Sequence, residues 1–188
     1  EYNEKINYTL RQVDRLYNLV EQFLLISRVE NNSLELKKTI FEIKNEVLNS
    51  IERFQILFDE KQITVNTKNI ESQIIDNYNE FIDIIIDNIL SNAVKYANLN
   101  GKITISSFIE NNLYHLVIED DGIGMNEEDL KFIQDRYFRI QNENTLNISG
   151  SGLGLNIATK LAQLANVNIL IEKKKKKGTR VILTFVIE

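Results

Sequence analysis

Three glycines at alternate positions limit what this chain can fold into more than any other stretch of its sequence. Gly150, Gly152 and Gly154 stand in the run Gly-Ser-Gly-Leu-Gly-Leu, and the residues that follow repeat apolar side chains at helical spacing. Because glycine has no Cβ, its backbone can take a positive φ and approach a ligand closely. The helix start that follows offers unpaired N–H groups and a positive dipole end to an anion. The stretch is typical of a phosphate-holding loop, although a flexible loop before a helix has the same composition.

Composition narrows the class of protein. The chain has 188 residues, of which 43% are hydrophobic, and this is enough for one core domain with an appendage. A net charge of −5 argues against nucleic acid as a partner, because such surfaces need excess Lys and Arg. The sequence lacks cysteine and has no long apolar run, so we expect a cytoplasmic protein whose membrane anchor, if any, lies upstream.

The first 30 residues carry a heptad pattern. Apolar side chains recur at alternating spacings of four and three residues, at Ile6, Leu10, Val13, Tyr17, Val20 and Leu24. A single helix cannot bury such a stripe, so we expect partner helices, either from a second copy of the chain or from sequence upstream. The polar run from Glu30 to Ser33 predicts a hinge, which divides the chain into a helical segment, 1–31, and a globular domain, 32–188.

The globular domain opens with elements to which we assign no chemistry. Alternation at 34–36 predicts a short edge strand, and Thr39 with Glu42 resembles a capping box that opens a helix. The helix carries an apolar face, and Ile63 to Val65 predict the next strand.

A second helix, predicted from Tyr78 to Ala97, carries polar residues of interest. Asn88, Asn92 and Lys95 fall within about 60° of one another, on a different face from its isoleucines. Asparagine is a poor helix former, so two within a helix call for a reason. Amide oxygens suit Mg²⁺ and lysine suits phosphate oxygens, although two exposed asparagines in an asparagine-rich chain would look the same.

Two predicted strands, joined at Asn111-Asn112, end in an acidic glycine-rich turn. Asp120 closes the second strand, and Gly122 and Gly124 follow it. A carboxylate at this position can accept a hydrogen bond from an exocyclic amine such as that of adenine. An acidic hairpin turn or a Ca²⁺ loop is the alternative, but the later oxygen ligands of such a loop are not at the right spacing.

Taken together, these blocks resemble the ATP-binding domain of sensor histidine kinases, in the superfamily that also contains gyrase, Hsp90 and MutL. Four short motifs occur in the order of that family: Asn88-x-x-x-Asn92-Ala93-x-Lys95-Tyr96, Asp120-x-Gly122-x-Gly124, Gly150-x-Gly152-Leu153-Gly154-Leu155 and Gly178-Thr179. Each motif alone is weak evidence for the family, but the occurrence of all four in the order of the family is specific. Residues 1–31 resemble the second helix of the dimerisation and phosphotransfer hairpin.

The resemblance implies a role for each motif residue. Asn92 would bind Mg²⁺, while Asn88, Lys95 and Tyr96 would face the phosphates and ribose of ATP. Asp120 would accept from the adenine amino group, with Thr179 nearby. The remaining positions would lie beneath the nucleotide or face its phosphates, and they are Gly122, Gly124, Gly150, Gly152, Leu153 and Gly154.

The resemblance extends to the region between the second and third motifs. The run from Gln141 to Ser149 looks like the mobile ATP lid, and Arg136 to Arg139 resembles the F box, in which Arg139 would reach the γ-phosphate. Lys95 and Arg139 are therefore the candidate phosphate contacts in catalysis. Gln134 departs from the family, which commonly has Phe there.

The phosphoacceptor is the larger departure. The family carries that histidine on the first hairpin helix, whereas His115, the only histidine here, falls inside a predicted strand. We expect a kinase catalytic region that phosphorylates a histidine outside this chain, works as a homodimer through the N-terminal helix, and passes phosphate to a response regulator receiver domain. The alternatives are a catalytically degenerate dimeric scaffold and an ATPase of the same superfamily.

The predicted fold is an α/β two-layer sandwich, a mixed sheet with three helices on one face, preceded by the long N-terminal helix. Five consecutive lysines, Lys173 to Lys177, fall at a predicted hairpin tip between the last two strands. We interpret them as a solvated turn, with an anionic partner or a membrane as the alternative.

Overall fold

The computed structural model of the chain describes residues 37–133, 135, 138, 152–174 and 177–187, with positions 5, 6, 9, 10, 13, 16, 17, 20, 21, 23–25, 27, 28 and 31. The backbone divides into two units, Glu1–Leu36 and Lys37–Glu188. In the first unit, the described positions from 5 to 28 are helical, and the predicted heptad residues are exposed, Ile6 at 48% and Leu10 at 55%. The strand predicted at 34–36 lies outside the described residues, and the predicted domain boundary stays a prediction.

The second unit contains seven strands and four helices within its described residues. The strands are β1 Thr39–Glu42, β2 Thr64–Asn69, β3 Ile74–Asn77, β4 Lys102–Glu110, β5 Leu113–Asp120, β6 Asn168–Lys173 and β7 Thr179–Val186. The helices are α1 Ile43–Lys61, α2 Asn79–Tyr96, α3 Glu127–Leu130 and α4 Gly154–Leu164.

The main sheet has the strand order β2-β4-β5-β7-β6, with β2 parallel to β4 and the other pairs antiparallel. Helix α2 packs against both α1 and α4 and also against β5. The predicted two-layer sandwich with a mixed sheet is confirmed. Among the described helices, none is long and apolar enough to cross a bilayer.

The central strand β5 carries the core and the site on the same face. Tyr114, Leu116 and Ile118 are almost fully buried, as expected for alternate residues that face the helices. Asp120 is the next member of this alternation and is only 6% exposed. The strand thus delivers a carboxyl group to the helical layer at its C-terminal end.

The predicted capping box at Thr39 and Glu42 is wrong. These residues form β1, which pairs antiparallel with β3, a strand that the sequence analysis did not predict. Glu42 precedes α1 in an extended conformation and makes no cap bond with its side chain. Its carboxylate accepts hydrogen bonds from the side chains of Asn45 and Ser72 instead, because the strand pairing fixes its direction.

The hairpin between β4 and β5 is confirmed. Asn111 and Asn112 both have positive φ, 51° and 59°, as a two-residue turn of this type requires. Helix α2 begins one residue later and ends one residue earlier than predicted, and Ile82, Ile85 and Ile86 are fully buried on its apolar face.

Candidate functional site

A pocket lies between α2, the end of β5 and the paired strands β6 and β7. Five of its lining residues are site residues that the sequence motifs predicted: Asn92, Tyr96, Asp120, Gly124 and Thr179. The rest of the lining is apolar and consists of Ile89, Ala93, Ile118, Met125, Ile133, Leu155, Ile171 and Val181. A flat apolar ring with one polar edge would match such a lining, because the few polar groups can fix its orientation.

Asp120 is the buried polar group of this pocket. Its carboxylate accepts a hydrogen bond from the backbone N–H of Gly122 at 2.8 Å, and a second from the backbone N–H of Thr179. Burial raises the pKa of Asp120 above its usual value, while these two bonds and the charge of Lys174 act in the opposite direction. A carboxylate that is buried but held by N–H donors is an acceptor prepared for one more donor.

The loop after β5 needs glycine for close packing against the end of α2. A Cβ on Gly122 would lie 2.1 Å from the carbonyl oxygen of Tyr96. The next residue, Ile123, donates its N–H to the same carbonyl at 3.1 Å. The loop is therefore fixed to the last turn of α2, which places Asp120 and Tyr96 in one pocket.

A second contact joins this loop to the start of β7. Gly124 has a φ of +68°, and a Cβ there would lie 3.1 Å from the backbone nitrogen of Gly178. Gly178 itself has a φ of +98°, and a Cβ on it would lie 2.0 Å from the carbonyl oxygen of Asp120. Both positions therefore need glycine for conformation, and Gly178 needs it for space as well.

Helix α2 supplies polar residues to two different places. Asn92 and Tyr96 line the pocket, whereas the side chain of Lys95 is exposed and lies outside its lining. Asn88 is turned toward α4: its amide donates to the carbonyl of Ile84 at 2.8 Å, and its Oδ1 would lie 2.5 Å from a Cβ on Gly154. The first and third motifs are thus in direct contact.

The glycine-rich stretch ends at this contact. Gly152 has a φ of +72°, Leu153 precedes the helix, and Gly154 is the first residue of α4. Leu155 reaches the pocket lining. The predicted loop-to-helix transition is confirmed for its described part, and the start of α4 lies beside Asn88.

The C-terminal end of α2 is held by the last residue of α1. The ammonium group of Lys61 donates to the carbonyl oxygens of Val94 at 2.7 Å, Lys95 at 2.9 Å and Ala97 at 3.3 Å. Its burial lowers the pKa of Lys61. Since cations at a helix C-terminus satisfy carbonyls that lack helical partners, this side chain fixes the turn that carries Tyr96.

Sequence reasoning missed three residues that shape the site. Met125 and Ile133 line the pocket, and the only signal for Met125 was its place directly after Gly124. Asn77, 8% exposed, donates to the carbonyl of Ala165 at 2.9 Å and accepts from the N–H of Tyr78 at 2.7 Å. It links the start of α2 to the end of α4, a long-range contact that no local pattern indicates.

Several predicted site residues either lie outside the described residues or do not line the pocket. Arg139, Gly150 and the predicted lid, 141–149, lie outside the described residues, as does most of the predicted F box. Gly122, Gly152, Leu153 and Gly154 are not among the residues that line the pocket. Their roles toward a nucleotide stay predictions.

The pocket is narrow in this conformation. Its interior measures about 60 Å³, below the roughly 300 to 1,000 Å³ of typical small-molecule sites. Among the described residues, no group of three or more His, Cys, Asp or Glu side chains is arranged to hold a metal.

Three features together define a nucleotide-binding α/β sandwich. A buried acceptor lies at a strand end, glycine contacts lie on both of its sides, and a helix starts beside Asn88. Residues 77–188 match the family model described as Histidine kinase-, DNA gyrase B-, and HSP90-like ATPase, and the chain belongs to this family. The sequence-based prediction of an ATP-binding catalytic domain of the histidine kinase type is confirmed.

Individual relatives agree with this assignment. The chain is 30% identical, over 97% of its length, to the signal transduction histidine-protein kinase ArlS of Staphylococcus aureus, and it spans about 40% of the length of that relative. Among solved structures, it is similar to the Acinetobacter baumannii histidine kinase AdeS, with a TM-score of 0.77, 23% identity, and coverage of 95% of this chain and 82% of that chain. The mycobacterial sensor histidine kinase MprB gives a TM-score of 0.67 at 19% identity, with coverage of 79% and 96%.

Proposed function

We propose that this chain binds Mg-ATP in the pocket beside Asp120 and transfers the γ-phosphate to a histidine outside residues 1–188, from which it passes to a response regulator. The observation that carries the proposal is the buried carboxylate of Asp120, held by two backbone N–H groups at the edge of an otherwise apolar pocket. An adenine amino group supplies the donor that this acceptor lacks.

Mg²⁺ fits the site through one protein ligand. Asn92 lines the pocket, and its amide is not occupied by a hydrogen bond from the described part of the chain. Mg²⁺ usually binds one or two protein oxygens together with phosphate oxygens and water, so a single amide is a sufficient contribution. When bound, the ion would neutralise negative charge on the phosphates.

The chain's own residues would bind and orient the nucleotide. Asp120 fixes the base, the pocket wall excludes water, and the N–H groups at the start of α4 face the phosphate side next to Asn88. Lys95 and Arg139 are the proposed cationic phosphate contacts. Catalysis by positioning and charge neutralisation needs no nucleophile from this chain.

The histidine that this chain contains is a poor phosphoacceptor. His115 lies in β5, five residues before Asp120, so the two side chains lie on opposite faces of the strand. Its Nδ1 lies 3.0 Å from the hydroxyl of Thr184, and its ring stacks on Phe108 with a centroid distance of 4.6 Å. The acceptor must therefore come from another part of the protein or from another molecule.

Homodimerisation through the N-terminal segment fits the exposed heptad residues, because an apolar stripe that large is stable only with a partner. The domains 1–31 and 32–188, a cytoplasmic location, and a membrane anchor upstream complete the proposal.

ATP hydrolysis is the second candidate reaction, since the family also contains ATPases. Superfamily ATPases place a glutamate, as the base for water, four residues before the metal-binding asparagine. Asn88 holds that position here, and its amide donates to the carbonyl of Ile84. An amide cannot accept a proton from water, which favours transfer to a protein over hydrolysis.

Calorimetric titration with a non-hydrolysable ATP analogue, with and without Mg²⁺, tests the binding. Incubation with γ-labelled ATP and a histidine-bearing dimerisation hairpin supplied in trans tests the transfer. We expect Mg²⁺-dependent binding and acid-labile label on the hairpin. No binding would favour a degenerate scaffold, and release of inorganic phosphate without labelled hairpin would favour an ATPase.

A further inference from the structure

A lysine-lined cavity lies beside the nucleotide pocket, at the turn between β6 and β7. Lys173, Lys174 and Lys177 line it, and so do Gly124 and Asn126 on the opposite side. Its volume is about 300 Å³, within the lower range of small-molecule sites. Three lysines thus line one cavity in a chain whose net charge is −5.

Of the three lysines, Lys174 already interacts with Asp120, since it donates to the Asp120 carbonyl and its charge lowers the pKa of the Asp120 carboxyl group. Neither Lys173 nor Lys177 forms a salt bridge with any described carboxylate. Of the nearby acids, Glu172 lies 3.7 Å from the guanidinium of Arg180. Like charges held together without counter-charges repel one another, so an anion that enters the cavity gains attraction from all three.

The one carboxylate in the cavity wall is already engaged. Asp129 accepts a hydrogen bond from the N–H of Asn126 at 3.4 Å, and its own N–H donates to the Asn126 side chain at 2.7 Å. This capping box directs the Asp129 carboxylate toward the start of α3. Three lysines outnumber the one carboxylate in the lining, so the cavity wall carries a net positive charge.

We propose that this cavity is a second ligand site, which binds a small, multiply charged phosphate compound. Lysine ammonium groups are strong donors to phosphate oxygens, and three of them match a ligand with at least two phosphate charges. The concave shape favours a small molecule over a membrane, because a flat lipid surface needs only protruding lysines.

The position of the cavity couples it to the nucleotide pocket. The two share the wall formed by Gly124 and Met125. Lys174 also donates from its ammonium group to the backbone carbonyl of Asp120 at 3.2 Å. A ligand that draws Lys174 away from this carbonyl removes a contact that supports Asp120. Ligand binding therefore changes the affinity for nucleotide, and nucleotide binding changes the affinity for the ligand by the same factor.

The test is an NMR titration of the isotope-labelled chain with inorganic pyrophosphate in Mg²⁺-free buffer. We expect saturable shifts in the backbone amides of Gly124, Lys174 and Gly178. The variant Lys173→Gln/Lys177→Gln, which keeps Lys174, should weaken this binding at least tenfold. The matched control Lys37→Gln/Lys102→Gln removes the same charge from two exposed lysines outside the cavity lining and should bind like the parent.

Three results overturn the proposal. Shifts confined to the amides of 152–155, equal in all three proteins, mean that pyrophosphate binds only on the phosphate side of the nucleotide pocket. Equal weakening in both variants means that net charge alone attracts the anion. The third result has two parts: pyrophosphate does not bind saturably, and binding to phosphatidylglycerol vesicles is lost only in the Lys173/Lys177 variant. This result means that the lysines bind a membrane surface. The amide readout needs no bound ATP, so it stands even if the proposed kinase activity fails.

Discussion

Replacing Asp120 by asparagine separates nucleotide recognition from folding. The two side chains have the same shape, but the amide oxygen of the variant must keep accepting from the N–H group of Gly122, which turns its NH₂ group toward the pocket. A donor then faces the adenine amino group. Loss of a hydrogen bond to a charged group costs about 1.5 to 3 kcal/mol, so we expect affinity for a non-hydrolysable ATP analogue to fall about 10- to 150-fold.

The same substitution should not weaken the fold. Burial raises the pKa of Asp120 in the folded chain, so the ionised form is disfavoured relative to the unfolded chain. This cost is absent below the unfolded pKa, grows as pH rises toward the folded pKa, and is fully present above it. Asparagine carries no such cost. At neutral pH and without nucleotide, Asp120→Asn should therefore unfold at the same temperature as the parent or higher.

Calorimetry for affinity and thermal unfolding without nucleotide check the two halves of this prediction. Asp121→Asn is the matched control, because its carboxylate accepts from the backbone N–H of Lys102 at 2.9 Å and does not line the pocket. A hypoxanthine analogue, which replaces the amino group by an acceptor, should bind Asp120→Asn better than the parent. Equal affinity of parent and variant for the adenine analogue would refute the role of Asp120, and lower stability without nucleotide would refute the desolvation argument.

Three further substitutions test the supports of the site. Gly154→Ala should lower both thermal stability and nucleotide affinity, because the new Cβ would lie 2.5 Å from the Asn88 oxygen, and Asn88→Gly in the same chain should restore part of the stability. Lys61→Met should cost about 1 to 3 kcal/mol in urea unfolding, since it leaves the carbonyls at the end of α2 without their half-buried donor, whereas unchanged stability would mean that water replaces it. Gly178→Ala should be the most damaging, with its Cβ 2.0 Å from the Asp120 carbonyl, and a folded variant with parental unfolding temperature would show that the hairpin moves freely.

The sequence predicted the elements whose signals are local. The isoleucine face of α2, the Asn111-Asn112 turn and the glycine-rich start of α4 each follow from period or turn chemistry within a few residues. Asp120 was found for the same reason, because a predicted strand ends in an acid followed by glycines.

What the sequence did not predict depends on contacts between distant residues. Strand β3 pairs with β1 across the whole of α1, so Thr39 and Glu42 formed a plausible capping box in the sequence and a strand in the fold. Asn77 and Lys61 stabilise helix ends that lie far away in the chain. Such contacts carry no period or spacing that a single sequence displays.

In the structure, the glycines of the motifs are needed for contacts within the protein. A Cβ on Gly122 would meet the carbonyl of Tyr96, one on Gly154 would meet Asn88, and one on Gly178 would meet Asp120. Each contact is with the protein itself, so these glycines join α2, the end of β5 and the start of α4 into one frame around the pocket. Loss of binding in a glycine variant therefore cannot identify a nucleotide contact. Only a substitution such as Asp120→Asn, which keeps the packing and changes one acceptor into a donor, separates recognition from the frame that supports it.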